Sequence, residues 1–226
     1  MVKLSISPSK IEQFRLFYTE AFNGFITQEN IITYLRGEQE WKDEMRFGSA
    51  YHAMIEFGPE KFFDPVRGVY VYTEDRMPGE IVLTKSELLP AIEYRAKYPG
   101  MINEMKAKYW TEVAGYRVLI NMRIDGMNGL VVHERKTGKR TNGFDYYQAS
   151  TQWKCYALAT ECKLIQYDIF KYNEPKSGPR KVEYIDPPYQ FMPYTGMKND
   201  VDHWIGQLIH FCEINNLMKF LISPYQ

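Results

Sequence analysis

The chain has 226 residues, 45% of them hydrophobic, and its 28 Lys and Arg are matched by 28 Asp and Glu for a formal charge of zero. That supports one sizeable core, read as one domain over residues 1–226, and the absence of any repeat or low-complexity tract excludes a fibrous or solenoid build. The even charge excludes a uniformly basic nucleic-acid binder, so any phosphate-binding surface must be local; the lack of a basic-plus-apolar leader, of an apolar run of bilayer length and of an even cysteine set points to a soluble, cytoplasmic chain without a membrane.

In chain order, Ser7-Pro8 supplies a cap and a first-turn proline, which predicts a helix from about Pro8 to Ala21. Gly48 to Glu56 reads as a helix opened by Ser49 and closed at Gly58-Pro59, with His52 and Glu56 four residues apart on one face. Val69–Thr73 and Ile81–Thr84 are short strand candidates around Pro78-Gly79. Thr84-Lys85-Ser86-Glu87 fits a capping box whose helix breaks before Pro99-Gly100, with a second helix through about Tyr109. Val118, Ile120, Met122 and Ile124 share one face of a strand ending at Asp125, and an Asn128-Gly129 turn follows. In Leu130–Thr137, Glu134 and Lys136 point one way, His133 and Arg135 the other.

Further on, Phe144–Thr160 reads as a helix with Gln148, Gln152 and Tyr156 along one edge. Trp153 beside them is either a core residue or a base-stacking platform. Leu164–Phe170 is a strand, Lys171, Lys176, Arg180 and Lys181 cluster in the loop after it, and Asn199–Phe220 carries Val201, Ile205, Leu208, Ile209 and Cys212 at helical spacing. His203 and His210 there are surface or packing residues.

The chemistry concentrates between Asp125 and Lys136. Two carboxylates on adjoining strands are hard oxygen ligands suited to magnesium or manganese, which would lower the pKa of an attacking water. A lysine beside them could orient that water or stabilise charge on a phosphate. The alternative is a hairpin of solvated charges, and for His52 and Glu56 a helix with a half-buried histidine. Lys139 and Arg140 follow directly and either hold phosphates or are solvated.

Together these pieces resemble the PD-(D/E)XK nuclease superfamily and its RecB-like exonuclease branch. The resemblance rests on Gly48-Ser49-x-x-His52-x-x-x-Glu56, then Arg123-Ile124-Asp125-Gly126 without the branch's leading glycine. Glu134-Arg135-Lys136-Thr137-Gly138 and Gln152-x-x-x-Tyr156 follow in the family's order. Leu4 to Phe14 looks like the family's first helix, so the likeness spans roughly residues 4 to 172. It implies an α/β fold with a restriction-endonuclease-like core, a central mixed sheet flanked by helices. It also implies that His52, Asp125 and Glu134 hold Mg2+ or Mn2+, with Lys136 the catalytic lysine and Glu56 supporting the histidine, a second metal or only the fold. Gln152 and Tyr156 would line the DNA path, with Gln148, Lys139 and Arg140 as further DNA contacts.

The activity implied is a metal-dependent DNA exonuclease of recombination or repair, resembling stand-alone phage enzymes and compatible with a homo-oligomer or a recombination partner protein. An endonuclease of the same superfamily and a non-catalytic DNA-binding module are its rivals. Some relatives bind an iron-sulfur cluster through four cysteines; with only Cys155, Cys162 and Cys212, and Phe17 where an early cysteine would stand, no such cluster is expected.

Overall fold

The local start and stop signals set the frame of the computed structural model, which describes residues 2–19, 24, 26–75, 77–140 and 142–222. Strand β1 (Lys3–Ile6) enters helix α1 (Pro8–Tyr18) through Ser7, whose hydroxyl accepts the Lys10 N–H while Pro8 occupies the first turn. The expected end at Ala21 lies outside the described residues. Helix α2 (Gln28–Arg36) starts at a Thr27–Asn30 capping box. Helix α3 (Asp43–Phe57) is longer than its motif: it begins after Lys42 with Asp43 and Glu44 in its first turn, where their charge complements the helix dipole. Ser49 therefore lies inside the helix and is not its cap. Gly58, at φ 90°, closes it as expected.

Strands β2 (Phe63–Asp64), β3 (Val69–Tyr72) and β4 (Ile81–Leu83) form a small antiparallel sheet. The capping box at Thr84 starts helix α4 (Lys85–Lys97), with Glu87 reaching back to the Thr84 N–H at 2.7 Å. The second helix expected through Tyr109 is instead strand β5 (Ile102–Val113), paired antiparallel with β6 (Tyr116–Asn128) from Ile102↔Met127 to Val113↔Tyr116. The physical reason is a period of two: Lys106, Lys108, Trp110 and Glu112 are exposed while the residues between them turn inward. The long strand β6 then supplies ladder partners along one edge of β5.

Strand β7 (Val131–Gly138) follows a turn centred on Gly129 and Leu130, with Asn128 still in the ladder opposite Val131. Gly129 takes the left-handed φ of 59° that the first position of such a turn requires. The helix expected over Phe144–Thr160 is two, α5 (Phe144–Ala149) and α6 (Thr151–Thr160), broken at the extended residue Ser150. The break has a cause in α1. Glu12, buried, accepts the Thr151 N–H at 2.8 Å and its hydroxyl at 2.9 Å, and Arg15 donates to the same carboxylate at 2.8 and 3.1 Å. A buried acid thus caps the start of α6 from another helix.

Glu12→Ala should cost about 3 kcal/mol, because it leaves the buried Arg15 guanidinium and the Thr151 N–H without an acceptor. Chemical denaturation checks it. Glu12→Gln, which keeps one acceptor oxygen, should lose less, and a loss within the range of an ordinary surface substitution would show that the cap is not structural.

The chain ends with β8 (Leu164–Asn173), β9 (Lys181–Tyr184), β10 (Tyr189–Phe191) and helix α7 (Met197–Ile214), which stops before the Phe220 expected for it. Seven strands form one mixed sheet: β1 with β6 and β7 with β8 are parallel, and the other pairs are antiparallel. One face packs Val118, Ile120, Ile165 and Tyr167 against α1, α6 and α7. The other packs Phe170 and Tyr172 against Tyr51 and Met54 of α3 and Leu88 of α4. The fold is therefore a central mixed sheet flanked by helices on both faces. Among the described residues no helix is long and apolar enough to cross a membrane.

Candidate active site

Strand β6 gives one edge to β5 along its length and divides the other. β1 pairs with it at Arg117–Ile120 and β7 at Gly126–Asn128, so β6 and β7 part in a fork just before Gly126. At Gly126 a side chain would crowd its neighbours, since an added Cβ would stand 2.5 Å from the Met101 sulfur and 3.4 Å from the His133 Cβ. Asp125 sits at the apex of the fork and replaces the missing ladder. Its Oδ2 accepts the Arg135 N–H at 2.8 Å, and its carbonyl oxygen accepts from the Arg135 guanidinium.

A chain of contacts runs from this apex. His52 on α3 brings Nδ1 to 3.8 Å from Asp125 Oδ2. On β7, the Lys136 ammonium donates to Glu134 Oε1 at 2.6 Å and to Gln152 Oε1 at 2.9 Å, and the Gln152 amide donates to the Tyr156 hydroxyl at 2.7 Å. Glu134 is 2% exposed, and its second oxygen, Oε2, has no hydrogen-bond partner.

Burial sets the charge states. It lifts the Glu134 carboxyl to about 7, with Asp125 pushing the same way and Lys136 holding it back. Burial also lowers His52 to about 4, against the pull of Asp125 and with Arg135 and Lys136 adding to the fall, so this imidazole is neutral near pH 7. For Lys136, burial works against the ammonium, but Glu134 and Asp125 outweigh it and its pKa is raised. The side chain is a third exposed, at 34%, and stays charged at the mouth of the cleft.

The expected site residues divide. His52, Asp125, Glu134, Lys136, Gln152 and Tyr156 meet at the fork, and Glu56 lines the same cleft as His52 and Asp125. Glu56 Oε2 stands 4.0 Å from Arg123. Gln148 does not join them: it lies on α5, exposed, on the far side of the Ser150 break. Lys139 is held by Glu174 at 2.7 Å and Glu44 at 3.4 Å, whereas Arg140 lines a pocket that Lys136 and Gln152 also line. On the opposite face of β7, as the alternation requires, His133 and Arg135 are buried. Asp168 there accepts from His133 Nδ1, Tyr94, Tyr184 and Gln166, each at 2.7 Å.

Three residues escaped sequence reasoning. Arg123 lies two positions before Asp125 and so on its face of β6, a signal readable from the strand period. Glu104 lies between the Asn103↔Gly126 and Met105↔Ile124 pairs of the β5–β6 ladder, with a left-handed φ of 55°, and pairs with Arg123; the sequence reads its segment as helix. Arg135 occupies the variable middle of the Glu-x-Lys triplet, where no pattern marks it.

Two carboxylates, one of them with an oxygen that lacks a partner, and a neutral imidazole are donor types that suit a hard divalent cation. Among the described residues no three His, Cys, Asp or Glu side chains close into a cage. Cys155, Cys162 and Cys212 are each buried and free.

No protein-family model and no curated protein matches the chain. Among solved structures, SSO0001 superposes with a TM-score of 0.53 at 12% identity, over 92% of this chain and 76% of that one, a likeness of fold alone. LHK-Exo in complex with dAMP covers 93% of this chain and 88% of its own at 12% identity, with a TM-score of 0.41. A further structure of LHK-Exo, an alkaline exonuclease from Laribacter hongkongensis, gives 0.37 at 12% identity over 94% and 91% of the two chains. Superpositions that loose carry no function across.

Proposed function

We propose that the chain is a divalent-cation-dependent deoxyribonuclease, acting as an exonuclease on DNA ends in recombination or repair. The observation that supports this best is the Glu134 carboxylate, buried with one oxygen on Lys136 and the other without a partner, beside Asp125 at the fork. Most buried acids that serve structure alone have both oxygens satisfied. Asp125 and Glu134, with His52, would hold the cation. Such a cation, when bound, neutralises phosphate oxygens and lowers the pKa of an attacking water.

The other roles belong to the chain's own side chains. The Arg135 N–H fixes the Asp125 carboxylate. The Lys136 ammonium, steered by Gln152, can hold the attacking water or stabilise charge that grows on the phosphate. Tyr156, kept neutral because burial raises its pKa well above the ordinary value, anchors Gln152 in turn.

The test is a time course on end-labelled linear DNA beside covalently closed circular DNA, in magnesium and in manganese. Loss of the linear form alone supports the exonuclease. Cutting of the circle moves the reading to an endonuclease, and binding without degradation of either overturns catalysis.

Cation binding should depend on pH in a stated direction. Glu134 holds its proton up to about 7, so below that pH an incoming cation must displace it, whereas His52 is already neutral above about 4. Mn2+ affinity should rise about tenfold per pH unit up to roughly 7 and then level off, with about one proton released per ion below the plateau. Calorimetry in buffers of different ionisation enthalpy measures both. A flat affinity through this range would remove Glu134 from the ligand set.

A further inference from the structure

The outward face of the β5–β6 hairpin carries a charge pattern that the fork does not use. Regular pairing of Lys106↔Arg123, Lys108↔Asn121, Trp110↔Leu119 and Glu112↔Arg117 places these side chains on one face. Lys106, Lys108, Trp110, Arg117 and Arg123 are exposed, and Lys3 of β1 joins them beside Arg117. The Arg117 guanidinium lies 4.6 Å from the centre of the Trp110 ring, which confirms the shared face. Five cations thus stand in a stripe on a chain of zero net charge. The acids on this face are confined to its ends: Glu112 opposite Arg117, and Glu104, which holds Arg123 beside Asp125. Lys3, Lys106, Lys108 and Arg117 form no ion pair with a described residue.

The stripe leads into the site. From Arg117 to Arg123 it spans six residues, about 20 Å at strand rise, and its inner end opens into a groove lined by Ser9, Lys106, Arg123, Asp125, Gln152 and Tyr156. We infer that this face is a track for the phosphate backbone of the substrate DNA, holding nucleic acid beyond the point of cleavage. The inference rests on the nuclease reading of the fork and extends it. Its chemistry is ordinary: exposed, unpaired cations in a line release counterions when a polyanion docks, and Trp110 offers a ring on which a base or sugar can pack. The basic residues that follow the site in sequence are less suited, because Lys139 and Arg180 are neutralised by Glu44, Glu87 and Glu174.

The experiment uses the double variant Lys108→Gln/Arg117→Gln, two exposed positions remote from the fork. DNA binding is followed by anisotropy with an end-labelled duplex in EDTA over a range of salt, and turnover is measured in Mn2+. The slope of log affinity against log salt should shrink by about 1.8, two duplex phosphate contacts, and KM should rise about tenfold with kcat within about twofold. An unchanged slope and KM in an enzyme that still cleaves DNA would overturn the track and leave the fork reading standing. If the unaltered chain binds DNA with this slope and cleaves nothing, the track stands and the nuclease reading falls. Competition by polyglutamate as strong as that by DNA would reassign the face to an acidic protein and overturn the inference.

Discussion

Replacing Lys136 by Met should slow DNA hydrolysis by about 10²- to 10³-fold, the usual loss when one preorganised charge donor is removed from a reacting centre. Two of the cations near it are not placed to substitute for it. Arg135 is buried on the other side of the strand, and Arg123 is held by Glu104. The chain should nonetheless stay folded, because losing the ammonium pushes the buried Glu134 carboxyl still higher and leaves it protonated near neutral pH. Initial rates on end-labelled linear DNA, with a melting curve for each protein, decide the matter. A loss smaller than about fivefold in a folded variant would remove Lys136 from the chemistry.

The largest effect on stability should come from Asp168→Ala. Asp168 is fully buried and accepts four hydrogen bonds, from Tyr94, Tyr184, Gln166 and His133. Its removal takes the carboxylate acceptor from four donors, three of them buried, beside Phe170 and Tyr98. The expected cost is about 3–5 kcal/mol, a large fraction of the whole stability of such a domain. Urea denaturation should show a lower midpoint at an unchanged slope, and kcat should hold at temperatures below the new transition. A midpoint within the scatter of surface substitutions would mean that the four donors find other partners.

Most of the site was legible because its residues obey short-range rules. His52 and Glu56 share a helical stripe, Glu134 and Lys136 share a strand face, and Gln152 and Tyr156 are one turn apart; each relation follows from a period, whatever the rest of the chain does. The misreadings arose where distant residues decide. Nothing between Ile102 and Tyr109 forbids a helix locally, and the period of two that marks a strand there takes effect only against the long partner β6. The helix expected through Gln148 breaks because Glu12, far away in sequence, caps Thr151. Of the basic clusters that stood out in sequence, Lys139 and Arg180 are neutralised in space. The exposed stripe is spread over β5 and β6 at every second residue and forms no run to notice.

The fork between β6 and β7 has a mechanical consequence. Asp125 and Glu134 lie on neighbouring strands, but the β6–β7 ladder stops short of them and Arg135 joins the two sides in its place. The spacing of the two carboxylates is thus decoupled from sheet twist and set by one hydrogen-bonded side chain and one amide. The Arg135 amide, whose acceptor is a carboxylate and not a ladder carbonyl, is therefore a single-residue gauge of that spacing by hydrogen exchange.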